Sequence, residues 1–207
     1  HKDNAHTAAK IALSLIPYAG GAAVELFQTL IQPSLQLRTK EWMEAVEIRL
    51  RALESEGVVL SDLENNQRFL SIAICASQIA LKTHIKEKRD AFCYVIEHAA
   101  RGHYLDEVVE QIFFNCIDSF STLHIRTLVL FHTPRLRPGL LEPTELVKEI
   151  ELAIPELRGR SEITVQIVQD LRAHGLLVKP WGPKPEMRAL TSPLGEQFIS
   201  YITKPTE

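Results

Sequence analysis

Cysteine is scarce. Three stand in 207 residues, at 75, 93 and 116, each inside an apolar stretch and none in a CxxC pair. An odd count without paired spacing excludes a disulfide framework and fits a reducing cytoplasm. Small, buried, apolar positions suit such thiols. Charge of one sign is also missing. The formal net charge is -3, which excludes the broad basic field of a chain built to coat nucleic acid. Residues 1–120 carry 12 Lys and Arg against 16 Asp and Glu, and residues 121–207 carry 11 against 10. That difference is too small to single out a partner.

Chemistry-bearing motifs are lacking too. There is no HExxH and no Gly-Lys-Ser/Thr loop. Of the eight histidines, His98 and His103 stand five apart and His124 and His132 eight apart, so neither makes a helical i,i+4 pair. No metal, cofactor or small-molecule ligand is read from this pattern. Ser121, His124, Cys116 and Asp118 are neighbours in sequence. A nucleophile, its base and its orienting group must meet in space, however, and Ser121 is accounted for as a helix cap. No enzyme and no catalytic residue are expected. The opening residues show no basic segment followed by a small-residue cleavage site, so no secretory signal is expected.

What is present is ordinary globular material: 45% hydrophobic and 24% charged residues, enough to bury a sizeable core. Residues 11–31, IALSLIPYAGGAAVELFQTLI, hold one charge, Glu25. A membrane span would place Glu25 near its middle at a cost of about 2.5–3.5 kcal/mol. Pro17 and the pair Gly20-Gly21 instead divide the stretch into two short helices, 7–16 and 22–31, meeting at a small-residue corner. Pro17, Gly20, Gly21, Val24, Phe27, Leu30 and Ile31 form the surface that would face the core, a partner or second copy, or a bilayer.

Helices are expected to follow in series. One starts at Pro33-Ser34, with an apolar stripe of Leu35, Trp42, Met43, Val46, Leu50 and Leu53, Arg38 and Arg49 off it, and Gly57 as its stop. Ser61 or Asp62 caps the next, whose run from Phe69 to Leu81 is apolar on nearly every side and is therefore expected at the centre. The charged tract 86–90 leads into AFCYVIEHAA, either as a continuation or as a new helix, ended by Gly102. Asp106 opens a further helix, and Ser121 or Thr122 caps the one before Pro134. Residues 134–143 read as a linker, giving a helical domain at 1–121 and a second domain at 122–207.

The last third changes texture. Thr144 caps a helix that Pro155 stops. Ser161 caps EITVQIVQDLRAHG, with Ile163, Ile167, Val168 and Leu171 on one face. Two short apolar stretches around WGPKPE make a β-hairpin pattern, and Ser192-Pro193 opens a closing helix. The phrases VQDLRAHGLLV and ALTSPLGEQFISYI, with a hairpin between them, resemble the winged helix-turn-helix superfamily over about residues 122–203. That resemblance implies a recognition helix at 161–174 and a role in binding DNA or protein. For DNA, Arg158, Arg160, Ser161, Gln166, Gln169, Arg172, Lys179, Lys184 and Arg188 would carry the contacts. The recognition helix offers Arg172 alone against Glu162 and Asp170, which is meagre for phosphate binding. The N-terminal part, with Ile16, Pro17, Gly20, Gly21 and Trp42, resembles uncharacterised bacterial proteins that share an Ile-Pro-x-x-Gly-Gly segment, and no activity comes with that likeness.

The expectation is a mainly α chain, an N-terminal helical bundle followed by a C-terminal winged helix with a small β-hairpin. It is read as a cytoplasmic, non-enzymatic bacterial recognition protein with a protein partner or a second copy of itself. A DNA-binding transcriptional regulator is one alternative. A membrane-acting effector with an insertable N-terminal segment is another.

Overall fold

The computed structural model describes residues 22–132, 143–178 and 191–205. Among them the chain is mainly α-helical. The helices are α1 (Ala22–Ser55), α2 (Leu60–Leu63), α3 (Gln67–Lys82), α4 (Lys86–Ala100), α5 (Glu107–Ser119), α6 (Thr122–His132), α7 (Pro143–Ala153), α8 (Ser161–Ala173) and α9 (Pro193–Ile202), with a 3-10 turn at Pro155–Leu157. The corner expected at Pro17, Gly20 and Gly21 lies outside the described residues, as does the linker at 134–142.

Pro33 does not begin a helix. It sits inside α1, which runs 34 residues without a break, about 51 Å at 1.5 Å per residue. Pro33 has no N–H to give to the turn before it, and it lies exposed on the surface of α1. The inner stripe of α1 also differs from the apolar reading. Trp42 and Leu53 are buried, but Met43 faces solvent, while Arg49 turns inward to Glu97 on α4. Trp42 is held in place by its indole N–H, which donates to Ser77 Oγ on α3 at 3.0 Å.

The central helix is α4, not α3. Ten of the fifteen residues of α4 are buried, and it packs against α1, α3, α5 and α9. Small residues, Ala91, Cys93, Ala99 and Ala100, let those neighbours approach. The charges of α4 are absorbed one by one. Lys88 Nζ donates to the Asp118 carbonyl at 2.7 Å, and Glu97 accepts from Arg49 at 3.0 Å and meets Arg101 at 3.6 Å. Meanwhile α3, although apolar all round, leaves Ile74 58% exposed. Its cap is Asn66, whose side chain accepts from the Phe69 N–H, rather than Ser61 or Asp62. The shorter α2 uses up those two residues. Burial pushes the thiols of Cys93 and Cys116 up to about 11, so both are inert core residues.

Beyond α5 the chain builds a second group of helices. Asp106 caps α5 through the Val108 and Val109 amides. Helix α6 packs on α7, α8 and α9, and α7 packs on α8. Gly175, at φ +73°, turns the chain out of α8, and Leu177 forms one antiparallel bridge with Thr191. The two strands expected around WGPKPE reduce to that bridge among the described residues, because 179–190 lie outside them. Ser192 caps α9, its Oγ accepting from the Gly195 N–H at 2.9 Å.

The two groups share one core. Phe113 on α5 meets Phe198 edge-on at 5.0 Å and Tyr201 at 5.7 Å, both on α9. Buried His98 on α4 presents Nε2 to the carbonyls of Ser200 and Thr203 at 3.0 and 3.2 Å. Because α9 ends on α4, the boundary drawn at residue 121 crosses packed side chains rather than a gap. No helix among the described residues is long and apolar enough to cross a membrane.

Candidate recognition surface

Helix α8 forms where the sequence places a 3.6-residue apolar rhythm between Gly159 and Gly175. Its inner face is Thr164, Ile167, Val168 and Leu171. Ile163, expected on that face, is 40% exposed and Thr164 takes its place. The Thr164 hydroxyl makes this harmless, because it donates back to the Arg160 carbonyl at 3.2 Å. The outward face carries Glu162, Val165, Gln166, Gln169 and Arg172.

Ser161 does not cap α8. It is the first helical residue, after Arg160, and its hydroxyl donates to Glu151 Oε1 at 2.7 Å. The other oxygen of Glu151 accepts from the Gly159 N–H at 3.1 Å. A carboxylate from α7 thus stands beside the start of α8, the end of a helix that favours an anion. Arg160 turns back to the Glu156 carbonyl at 3.3 Å, and Glu156 itself pairs with Arg126 on α6. Arg158 is exposed.

Gln166 is tied down as well, its amide donating to Asp170 Oδ1 at 2.7 Å. Gln169 and Arg172 stay exposed. Lys179, Lys184 and Arg188 lie outside the described residues. Of the earlier surface, Val24 and Phe27 fall on α1 with side chains outside the described set. Leu30, 67% exposed, and Ile31 face solvent there.

Asp170 ties α8 to α6 within the second group of helices. His124 lies one turn into α6, where its Nδ1 accepts from the Ser121 N–H at 3.2 Å and from the Ser121 hydroxyl at 2.8 Å. Nε2 must then carry the proton, and it donates to Asp170 Oδ2 at 3.2 Å. The Ser121 and Gln166 bonds leave little freedom in this chain. The His124 hydrogen bond holds the Asp170 carboxyl below the usual carboxylate range. The imidazole also stacks on Phe120 at 5.0 Å, nearly parallel, and His174 meets the same ring edge-on at 4.9 Å.

Serine, histidine and aspartate in a row invite a nucleophile. Here the ring is bound by both groups of Ser121, as the residue three positions into a helix binds back to its cap in a capping box. The chain caps the start of α6 and ties α6 to α8. Sequence adjacency pointed to Cys116 and Asp118 as neighbours of His124, whereas Cys116 is buried in the core and the true partner lies 46 residues on. The Ser-x-x-His spacing is the one signal that could have found the cap. Nothing local in the sequence announces Glu151 or Asp170. Comparison with protein-family models, with curated proteins and with solved structures returned no match.

Proposed function

We propose that this chain is a non-enzymatic recognition protein. Residues 122–205 are arranged as a winged helix-turn-helix, α8 meets a protein partner, and the helices before it form the body on which that module is docked. The order α6, α7, α8, antiparallel bridge, α9 supports the winged-helix reading. The Glu151 carboxylate at the start of α8 is the observation that carries the choice of partner. A helix that reads DNA offers its first amides and hydroxyls to phosphates. Just before α8 the Gly159 amide, and at its first residue the Ser161 hydroxyl, are already given to Glu151, and Glu162 stands exposed beside them. A phosphate approaching there meets these two carboxylates as well as exposed Arg158 and Arg160. Further along, the outward face is close to neutral and shows Ile163 and Val165, each 40% exposed. Such a surface suits a protein better than a polyanion.

Exposed Arg158, Gln169 and Arg172 are the features that favour the second reading, a DNA-binding regulator. Fluorescence anisotropy with mixed-sequence duplexes at low and at moderate salt decides between the two, since phosphate binding needs no correct sequence at low salt. No binding at either salt is the expected result. Tight low-salt binding that collapses as salt rises would replace the protein partner with DNA.

A further inference from the structure

Between α3 and α5 lies an open cleft of about 370 Å³ whose lining includes Arg68, Ile72, Cys75, Glu107, Glu110 and Phe114. None of its lining residues belongs to α8 or to the Ser121–His124–Asp170 chain. Its floor is apolar, because Ile72 and Phe114 are both buried. Its walls carry two carboxylates and one guanidinium, so negative charge is in excess there. Arg68 donates to the Leu105 carbonyl and lies over the Tyr104 ring at 4.8 Å. Glu110 is half-buried, forms no salt bridge among the described residues, and has one hydrogen-bond donor, the Tyr201 hydroxyl, at a long 3.5 Å. Burial raises the Glu110 carboxyl above its ordinary value, with the field of Arg68 only partly offsetting it.

From these features we infer that the cleft binds an ammonium group on a short aliphatic stem, the ammonium at Glu110 with Glu107 at the rim, the stem along Ile72 and Phe114. The chemistry is that of pockets in general: an apolar floor supplies contact area and a few convergent polar groups fix orientation. A half-buried carboxylate that no salt bridge meets among the described residues is only partly compensated by the field of Arg68. An arriving ammonium completes that compensation by a charge-assisted hydrogen bond. A free alkylamine and a lysine side chain of a partner protein share this chemistry. An acidic ligand is excluded by the two carboxylates.

The test is an amide-resolved NMR titration of the whole chain with n-butylammonium chloride, with n-butanol and sodium chloride as controls. Saturable shifts at residues 71–75 and 107–111 are expected with the amine alone. Glu110→Gln should weaken the binding about tenfold or more, the effect of a lost charge-assisted bond. Glu107→Gln, at an exposed position in the first turn of α5, should weaken it less. Nα-acetyl-lysine amide forms a second arm. Binding at least as tight as that of butylamine assigns the site to a lysine side chain, and weaker binding assigns it to a free amine. An equal response to butanol would mean mere filling of an apolar hollow and would overturn the inference, as would no saturable response to either amine. Unchanged binding in both variants would overturn it too.

Discussion

Glu97 shows what a single side chain does in this core. Its carboxylate is 7% exposed and sits between Arg49 and Arg101, while the Arg49 guanidinium also lies 4.0 Å over the Tyr94 ring. A buried acid is tolerable only when both its charge and its lone pairs are met. Glu47 and Arg51, on the solvent side of α1, form the same kind of bond where it counts for little. Among the described glycines Gly195 has the least room. A Cβ placed there would stand 2.1 Å from the Leu176 carbonyl oxygen, so α9 and the residue before the bridge touch backbone to backbone. Gly195→Ala should therefore cost about 1–3 kcal/mol, the usual penalty for overpacking, and thermal denaturation should show a lowered midpoint. An unchanged midpoint would mean that α9 is not seated on Leu176.

At the scale of elements, His98 fastens the end of α9 to α4. Burial holds the imidazole below its ordinary value, with the Ser200 and Thr203 carbonyls opposing that shift and His103 reinforcing it. Glu97 also opposes it, yet burial, with Tyr201 stacked on the ring, leaves the neutral imidazole as the form the fold prefers. Because the folded value is depressed, the stabilisation is complete above the unfolded value of about 6.5 and is lost as pH falls toward the folded value. Urea midpoints measured at about pH 8 and about pH 5 should fall more for the wild type than for His98→Gln, which keeps a donor and removes the titration. Equal falls would show that this clasp is not what acid weakens. Elements such as these are unevenly legible in sequence. Gly102, Asp106 and Gly175 mark helix ends because their demands, a positive φ or a side-chain cap, are local. The depth of α4 is not legible, because Lys88, Glu97 and His98 read as surface until their distant partners, Asp118, Arg49 and Thr203, are in place. For the same reason the residues expected to touch DNA include Ser161 and Gln166, whose side chains turn out to serve Glu151 and Asp170.

For the whole molecule, the shared aromatic cluster makes two independent unfolding steps a poor description. Phe120 and Phe113 from the first helical group and Phe198 and Tyr201 from the last helix contact one another directly. Phe198→Ala should cost about 3–5 kcal/mol and should loosen both ends of the chain at once. With Trp181 replaced by Phe, Trp42 alone reports on the first group, while circular dichroism reports on all helices. The two signals should give one midpoint in the parent and one lower midpoint in the Phe198→Ala variant. Separate midpoints would mean that the groups fold as independent units. The same contact also bears on the order in which structure is acquired during synthesis. His98 and Thr203 are 105 residues apart, and closing so long a loop precedes any reward from the contact. Helices α1 to α5 can gather as soon as they emerge from the ribosome, but Phe113 stays uncovered until α9 has followed. A nascent chain halted before residue 193 should thus show an aromatic surface that chaperones would recognise.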